Sequence, residues 1–335
     1  MAAALDLAYG LRFEDLYSRE GLLRIDAAFL VKLRDTDAGL AQRLADARTA
    51  LTDPTKQDST EPALSVRDEA ALLLEIGPHV DTFVGRLFGI GDTLGALRDA
   101  HHALDPLYEV KLKFVRREAT KVTPADLTGF DADAALNEIE AWLGEPFDEL
   151  TFARAVLSAQ STQADEAAPD ELRATARARL AVALRYSAWA ASTEAGAQRH
   201  SDDVLFRLPG KVDPLHMLGH AREHGDKGVR TFTIDPEHLR QREGFALTDA
   251  GTDLRGALDQ ANYCIWCHKQ GKDSCSKGMK EKPGPTGAAP WKRSTFGVNL
   301  AGCPLEERIS EFHTLKSQGH AISALAMITI DNPML

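Results

Sequence analysis

Apolar residues recur at helical spacing through the first two hundred positions. Leu22, Leu23, Ile25, Ala28, Phe29, Leu30 and Leu33 make one stripe, and Leu40, Leu44 and Ala47 continue it on a second helix. Residues 53–61 are polar, contain Pro54 and read as a loop. Residues 66–88 carry a further helical pattern, broken at Gly77-Pro78 because proline removes a backbone donor. Residues 92–117 follow, interrupted at Pro106. Asp131 starts an amphipathic helix through Ala134, Leu136, Ile139 and Trp142. Pro146 opens the next, with Leu150, Phe152, Val156 and Leu157. A polar, acidic break over 160–169 precedes a long helix over 170–191, rich in Ala, Arg and Leu.

The pattern changes after about residue 198. Residues 204–208 and 229–234 alternate and are β-branched or aromatic, so each is expected to be a short strand. Pro209-Gly210 and Asp226-Lys-Gly are turn signals around them. Residues 253–263 read as one helix and 280–290 as a Gly/Pro/Lys loop. A helix is expected over 305–317, with Pro304 at its first turn. Gly319 breaks it and 321–328 forms another. The expected fold is mainly α. It has a helical N-terminal domain over 1–198, a connecting α+β segment with short strands over 199–252, and a cysteine-containing helical domain over 253–335. Because residues 13–195 hold their own apolar stripes, that part is expected to fold without the cysteine part.

Composition narrows the function. The chain has 335 residues, 44% of them hydrophobic, enough for two or three packed domains. A formal charge of −11 argues against nucleic acid or an anionic membrane as main partner. No basic region followed by an apolar core opens the chain, and no run of about 18 apolar residues occurs, so a cytoplasmic protein with no membrane span is expected. Thiols stay reduced there, and clustered cysteines favour metal or redox work over disulfides.

All four cysteines, Cys264, Cys267, Cys275 and Cys303, lie in the last quarter of the chain. A C-x-x-C pair is followed by a third thiol and then by Cys303-Pro304. Thiolates so placed suit iron–sulfur clusters or zinc. One zinc ligated by all four is the competing reading, although zinc sites usually show two C-x-x-C knuckles. Between residues 260 and 293 seven Lys and Arg face two carboxylates, a local charge of +5. These cations either form a solvated loop or tune an anionic cluster and attract an acidic partner. His216, His220 and His224 share one face if that stretch is helical, though no carboxylate completes a metal set. Gly89-Ile-Gly91-Asp-Thr-Leu-Gly95 lies between helical patterns and reads as a helix–helix turn rather than a phosphate loop. No residue stands out as an acid, base or nucleophile for substrate chemistry.

The run Cys264-x2-Cys267-x7-Cys275, with Gly302-Cys303-Pro304-Leu305-Glu306, Ile309-Ser310-Glu311 and Asp331-Asn332-Pro333, resembles the α-helical ferredoxin domain of the glutamate synthase small subunit and of dihydropyrimidine dehydrogenase. With Phe13-Glu-Asp-Leu-Tyr-Ser-Arg-Glu-Gly-Leu-Leu-Arg24, the whole chain resembles the N-terminal part of large bacterial FAD-dependent pyridine nucleotide-disulfide oxidoreductases. The resemblance implies two [4Fe–4S] clusters passing electrons between a flavin and another centre. Cys264, Cys267 and Cys275 would serve one cluster and Cys303 the other, its sulfur standing about 10 Å from the first three. It implies further that this chain is a fragment. FAD and NAD(P) would bind a missing C-terminal part, and the partner would be a flavin domain of the same chain or of another subunit. Two departures stand against it: 27 residues separate Cys275 from Cys303 where that family has very few, and the remaining ligands would lie beyond Leu335. The alternative is a non-enzymatic helical scaffold holding one structural zinc.

Overall fold

The computed structural model describes residues 6–52 and 64–210. Beyond these it describes all but 211, 216, 218–220, 227, 237–238, 240–242, 248–250, 286, 288, 333 and 335. The fold is mainly α, as expected. Helix α1 (Arg19–Thr36) starts where the Ser18 hydroxyl accepts the Gly21 N–H, filling a donor that the first turn leaves open. Asp37 ends α1 and its carboxylate caps α2 (Ala38–Thr52) through the Leu40 N–H at 2.8 Å. The expected 53–61 loop lies outside the described residues. Ser65 caps α3 (Val66–Leu87), and Phe83 and Leu87 close a small cluster with Leu11, Ile25 and Phe29.

The break expected at Gly77-Pro78 does not occur, and α3 runs through it. The cause is tertiary. Two C-terminal helices, α12 (Ile309–Ser317) and α13 (Ala321–Asp331), pack against α3 at this point. The missing Cβ of Gly77 makes room for Leu315: a Cβ there would stand 2.6 Å from its side chain. The Ser323 hydroxyl donates to the Gly77 carbonyl at 2.5 Å, and the buried Asp81 carboxylate accepts the Ser323 N–H at 2.7 Å. Asp81 thereby caps the first turn of α13 from the neighbouring helix.

Gly89, at φ 68°, turns the chain from α3 into α4 (Gly91–His102), so the glycine-rich stretch is a helix–helix turn as read. Helix α5 (Asp105–Val110) passes directly into a π-helical turn at Lys111–Val115. Asp131 and Asp148 cap α6 (Ala132–Leu143) and α7 (Glu149–Ala164), each carboxylate accepting two backbone N–H groups. Helices α8 (Asp170–Ser192) and α9 (Glu194–Arg199) follow. Leu107, Ile139, Phe152, Val156, Ala183 and Tyr186 form the main core of these helices.

Residues 204–208 are not a strand. Val204, Leu205 and Phe206 enter that core as irregular chain. The buried Glu149 carboxylate accepts the N–H groups of Val204 and Leu205, both at 2.9 Å, and so replaces a strand neighbour. The second expected strand is present: β1 (Ala221–Asp226) and β2 (Val229–Ile234) pair antiparallel, the one sheet among the described residues.

The core does not stop at residue 198. Leu258 of α10 (Leu254–Asn262) belongs to the main cluster. The Lys111 ammonium bonds Asp259 of α10 and the Val204 carbonyl, the Tyr108 hydroxyl donates to the Arg255 carbonyl, and Arg255 pairs with Glu149 at 2.9 Å. The stripes at 13–195 are thus closed partly by residues from the cysteine-bearing part.

Candidate functional site

Helix α10 is the arm that positions the cysteines, and its side chains are locked into the core. After Tyr263, the chain makes a left-handed turn at Trp266, φ 47°. That turn aims the Trp266 N–H at the Cys264 sulfur, 3.3 Å away. A 3-10 turn at Cys267–Gln270 and a second left-handed residue, Gly271, reverse the chain, and the Ser274 N–H reaches the Cys267 sulfur at 3.4 Å. Backbone donors to sulfur stabilise a thiolate and orient it, as they do in metal–thiolate sites. Asp273 then caps α11 (Ser274–Lys277), which carries Cys275.

The 27 residues between Cys275 and Cys303 form no separating spacer. They fold back, with the Met279 N–H on the Leu300 carbonyl, the Lys292 N–H on the Met279 carbonyl and the Leu300 N–H on the Lys292 carbonyl. The return strand closes at Gly278 and Gly302. Both have φ above +70°, and a Cβ on Gly302 would stand 2.4 Å from the Ser276 carbonyl oxygen. The Cys303 N–H donates to the Cys275 carbonyl at 2.8 Å and to that of Ser276 at 3.1 Å. The backbone of Cys303 therefore lies directly on that of Cys275.

The expected helix directly after Pro304 is absent. Glu306 takes φ 53° after a turn closed on the Cys303 carbonyl, and α12 begins only at Ile309. Cys303 does not cap a helix. Instead α12 contributes Ser310 and the 3-10 turn contributes His268, two groups that the sequence reading missed. Ser310 stands between the Cys264 sulfur, 3.7 Å away, and the Nδ1 of His268, at 2.5 Å. His268 is buried, burial lowers its pKa, and its Nε2 has no partner among the described residues. Its place directly after the C-x-x-C pair was the available signal.

All four cysteines are free: Cys267 is buried, Cys264 and Cys303 half-buried, Cys275 exposed. Cys275 is exposed as a residue, but partial desolvation of its thiol, and then charge on Cys267, Asp273 and Cys264, push its pKa up. Among the described residues, no three His, Cys, Asp or Glu side chains converge closely enough to hold one ion. Zinc at about 2.3 Å from each sulfur needs the sulfurs about 4 Å apart, so zinc binding requires these thiols to draw together. Next to them lies a polar cavity of about 200 Å³. There Arg308 bridges Glu69 and Asp331, both at 2.5 Å, and Glu311 is buried beneath.

His224 lies in β1, not on a helix, and its Nε2 bonds the Thr233 hydroxyl at 2.8 Å. His216 and His220 lie outside the described residues. No helix among the described residues is long and apolar enough to cross a membrane.

With this geometry in view, residues 7–89 match a family model described as the RP005 N-terminal alpha-helical domain. Over 322 residues the chain is 29% identical to Uncharacterized protein RP005 of Rickettsia prowazekii (strain Madrid E), covering 94% of this chain and 99% of that protein. No solved structure matches. These findings overturn the resemblance to FAD-dependent pyridine nucleotide-disulfide oxidoreductases and their α-helical ferredoxin domain. The helical opening set beside those enzymes matches a different family model. The relative, which this chain parallels over almost its whole length, is not described as an oxidoreductase.

Proposed function

We propose that Cys264, Cys267, Cys275 and Cys303 together ligate one iron–sulfur cluster and that the protein is an electron-transfer module of the cytoplasm. The observation that supports this most is the backbone pairing of Cys303 with Cys275, which returns the fourth cysteine to the segment that carries the other three; cluster binding then requires the thiols to draw together. The donor set fits the group. It supplies four thiols, as such clusters require, and backbone N–H groups already point at two of the sulfurs. Ser310 and the free Nε2 of His268 add hydrogen-bonding groups of the kind that set reduction potential. A bound cluster supplies one-electron transfer; the chain's own residues orient the thiolates and exclude water from Cys267.

The test is anaerobic reconstitution with iron and sulfide. A brown protein absorbing near about 400 nm, with Cys264→Ser and Cys303→Ser both losing the colour, is the expected result. A colourless protein holding one zinc lost in the same variants would replace the cluster with a structural zinc site.

A further inference from the structure

The fold-back between Cys275 and Cys303 builds a second feature. With Val66 at the start of α3 and the loop before α11, it encloses an open groove of about 610 Å³. Lys272, Lys277, Lys280, Lys282 and Lys292 line it, opposed by Asp273 and Glu281. Asp273 is buried and capping α11, so it offers little to solvent. Lys277 pairs with Glu306, and Lys280 lies over the Trp291 ring at 4.9 Å. Lys272, Lys282 and Lys292 are exposed and have no carboxylate partner among the described residues. Residues 260–293 carry seven cations and two carboxylates, or +5, in a chain of −11, so everything outside them sums to −16.

We propose that this groove docks an acidic segment of a partner protein, whose Asp or Glu side chains enter among Lys272, Lys282 and Lys292. The surrounding charge selects the partner's size. A long polyanion such as duplex DNA would meet the −16 around the patch and be repelled, whereas a short acidic stretch meets only the positive island. Helix α11 forms one wall and carries the exposed Cys275, so a docked partner lies against the thiol site. On the cluster reading above, that contact brings the partner within reach of the cluster. The docking itself needs no metal, and its test is independent of that reading.

The test uses the full chain and a fluorescent oligoglutamate peptide of about eight residues, followed by anisotropy at low salt. The expected result is binding that weakens steeply with added salt and falls about tenfold or more in Lys272→Glu/Lys282→Glu/Lys292→Glu. Lys32→Glu/Lys113→Glu/Lys121→Glu makes the same charge change on exposed lysines elsewhere and should bind like the parent. A milder triple change to Gln at the groove serves if the Glu variant loses its helical circular dichroism. Equal losses in groove and control variants, or no binding at low salt, would overturn the proposal. So would tighter binding of duplex DNA than of the peptide, which would make the groove a nucleic-acid surface.

Discussion

Glu311 carries a pH dependence that can be worked out from its surroundings. It is 2% exposed, and its Oε2 has no partner among the described residues. Arg308, the nearby cation, is already held by Glu69 and Asp331. Burial first, and then the charges of Asp273 and Glu69, push its carboxyl from 4.5 to about 7. At about 1.4 kcal/mol per pH unit, that difference is worth about 3 kcal/mol. Between these pH values the native state keeps a proton that the unfolded chain has lost. The contribution is therefore fully present below about pH 4.5 and disappears as pH rises through about 7. Glu311→Gln keeps the shape and removes the titration. Urea unfolding of both proteins at several values from pH 4.5 to 8 gives their stability difference. Whatever its value at the acid end, that difference should move by about 3 kcal/mol in favour of the variant by pH 8. A difference that stays level across this range would show that Glu311 is solvated or paired, and the reasoning would fail.

Three further outcomes are expected. Lys111→Met should cost about 3–5 kcal/mol by leaving Asp259 charged, buried and unpaired, while Lys111→Met/Asp259→Leu should recover most of it; thermal or urea melts measure both. Gly302→Ala should destabilise the fold-back by about 2 kcal/mol or more, since φ is +89° and the new Cβ meets the Ser276 carbonyl, and faster exchange of the Cys303 amide reports it. A chain cut after Gln198 should expose the face of α3 now covered by α12 and α13 and the part of the main core now closed by Leu258, and so bind a hydrophobic dye, whereas a soluble, cooperatively melting product would show that the helical part closes its own core.

Local chemistry made much of this protein legible. Asp131 and Asp253 announce helix starts because a short polar side chain next to an apolar period is a local signal, and each caps its helix. The second strand, the Gly89 turn and the gathering of the cysteines in one segment were readable for the same reason. What the sequence misstated depends on partners far along the chain. Gly77-Pro78 stays helical because Leu315 and Ser323, some 240 positions away, fit against it. Residues 204–208 have strand-like composition, but Glu149 supplies their acceptor, so no strand forms. The resemblance, not the spacing, implied a second site for Cys303, and the 27 residues after Cys275 carried no signal of where the chain returns. Hydrogen bonds within the intervening residues decide where that chain returns, and two glycines allow its backbone to lie against α11. Sequence determined most of the helices and the placing of all four thiols in one segment. Which of them stand together was decided by packing, because a long-range contact leaves no periodic trace in the residues that make it.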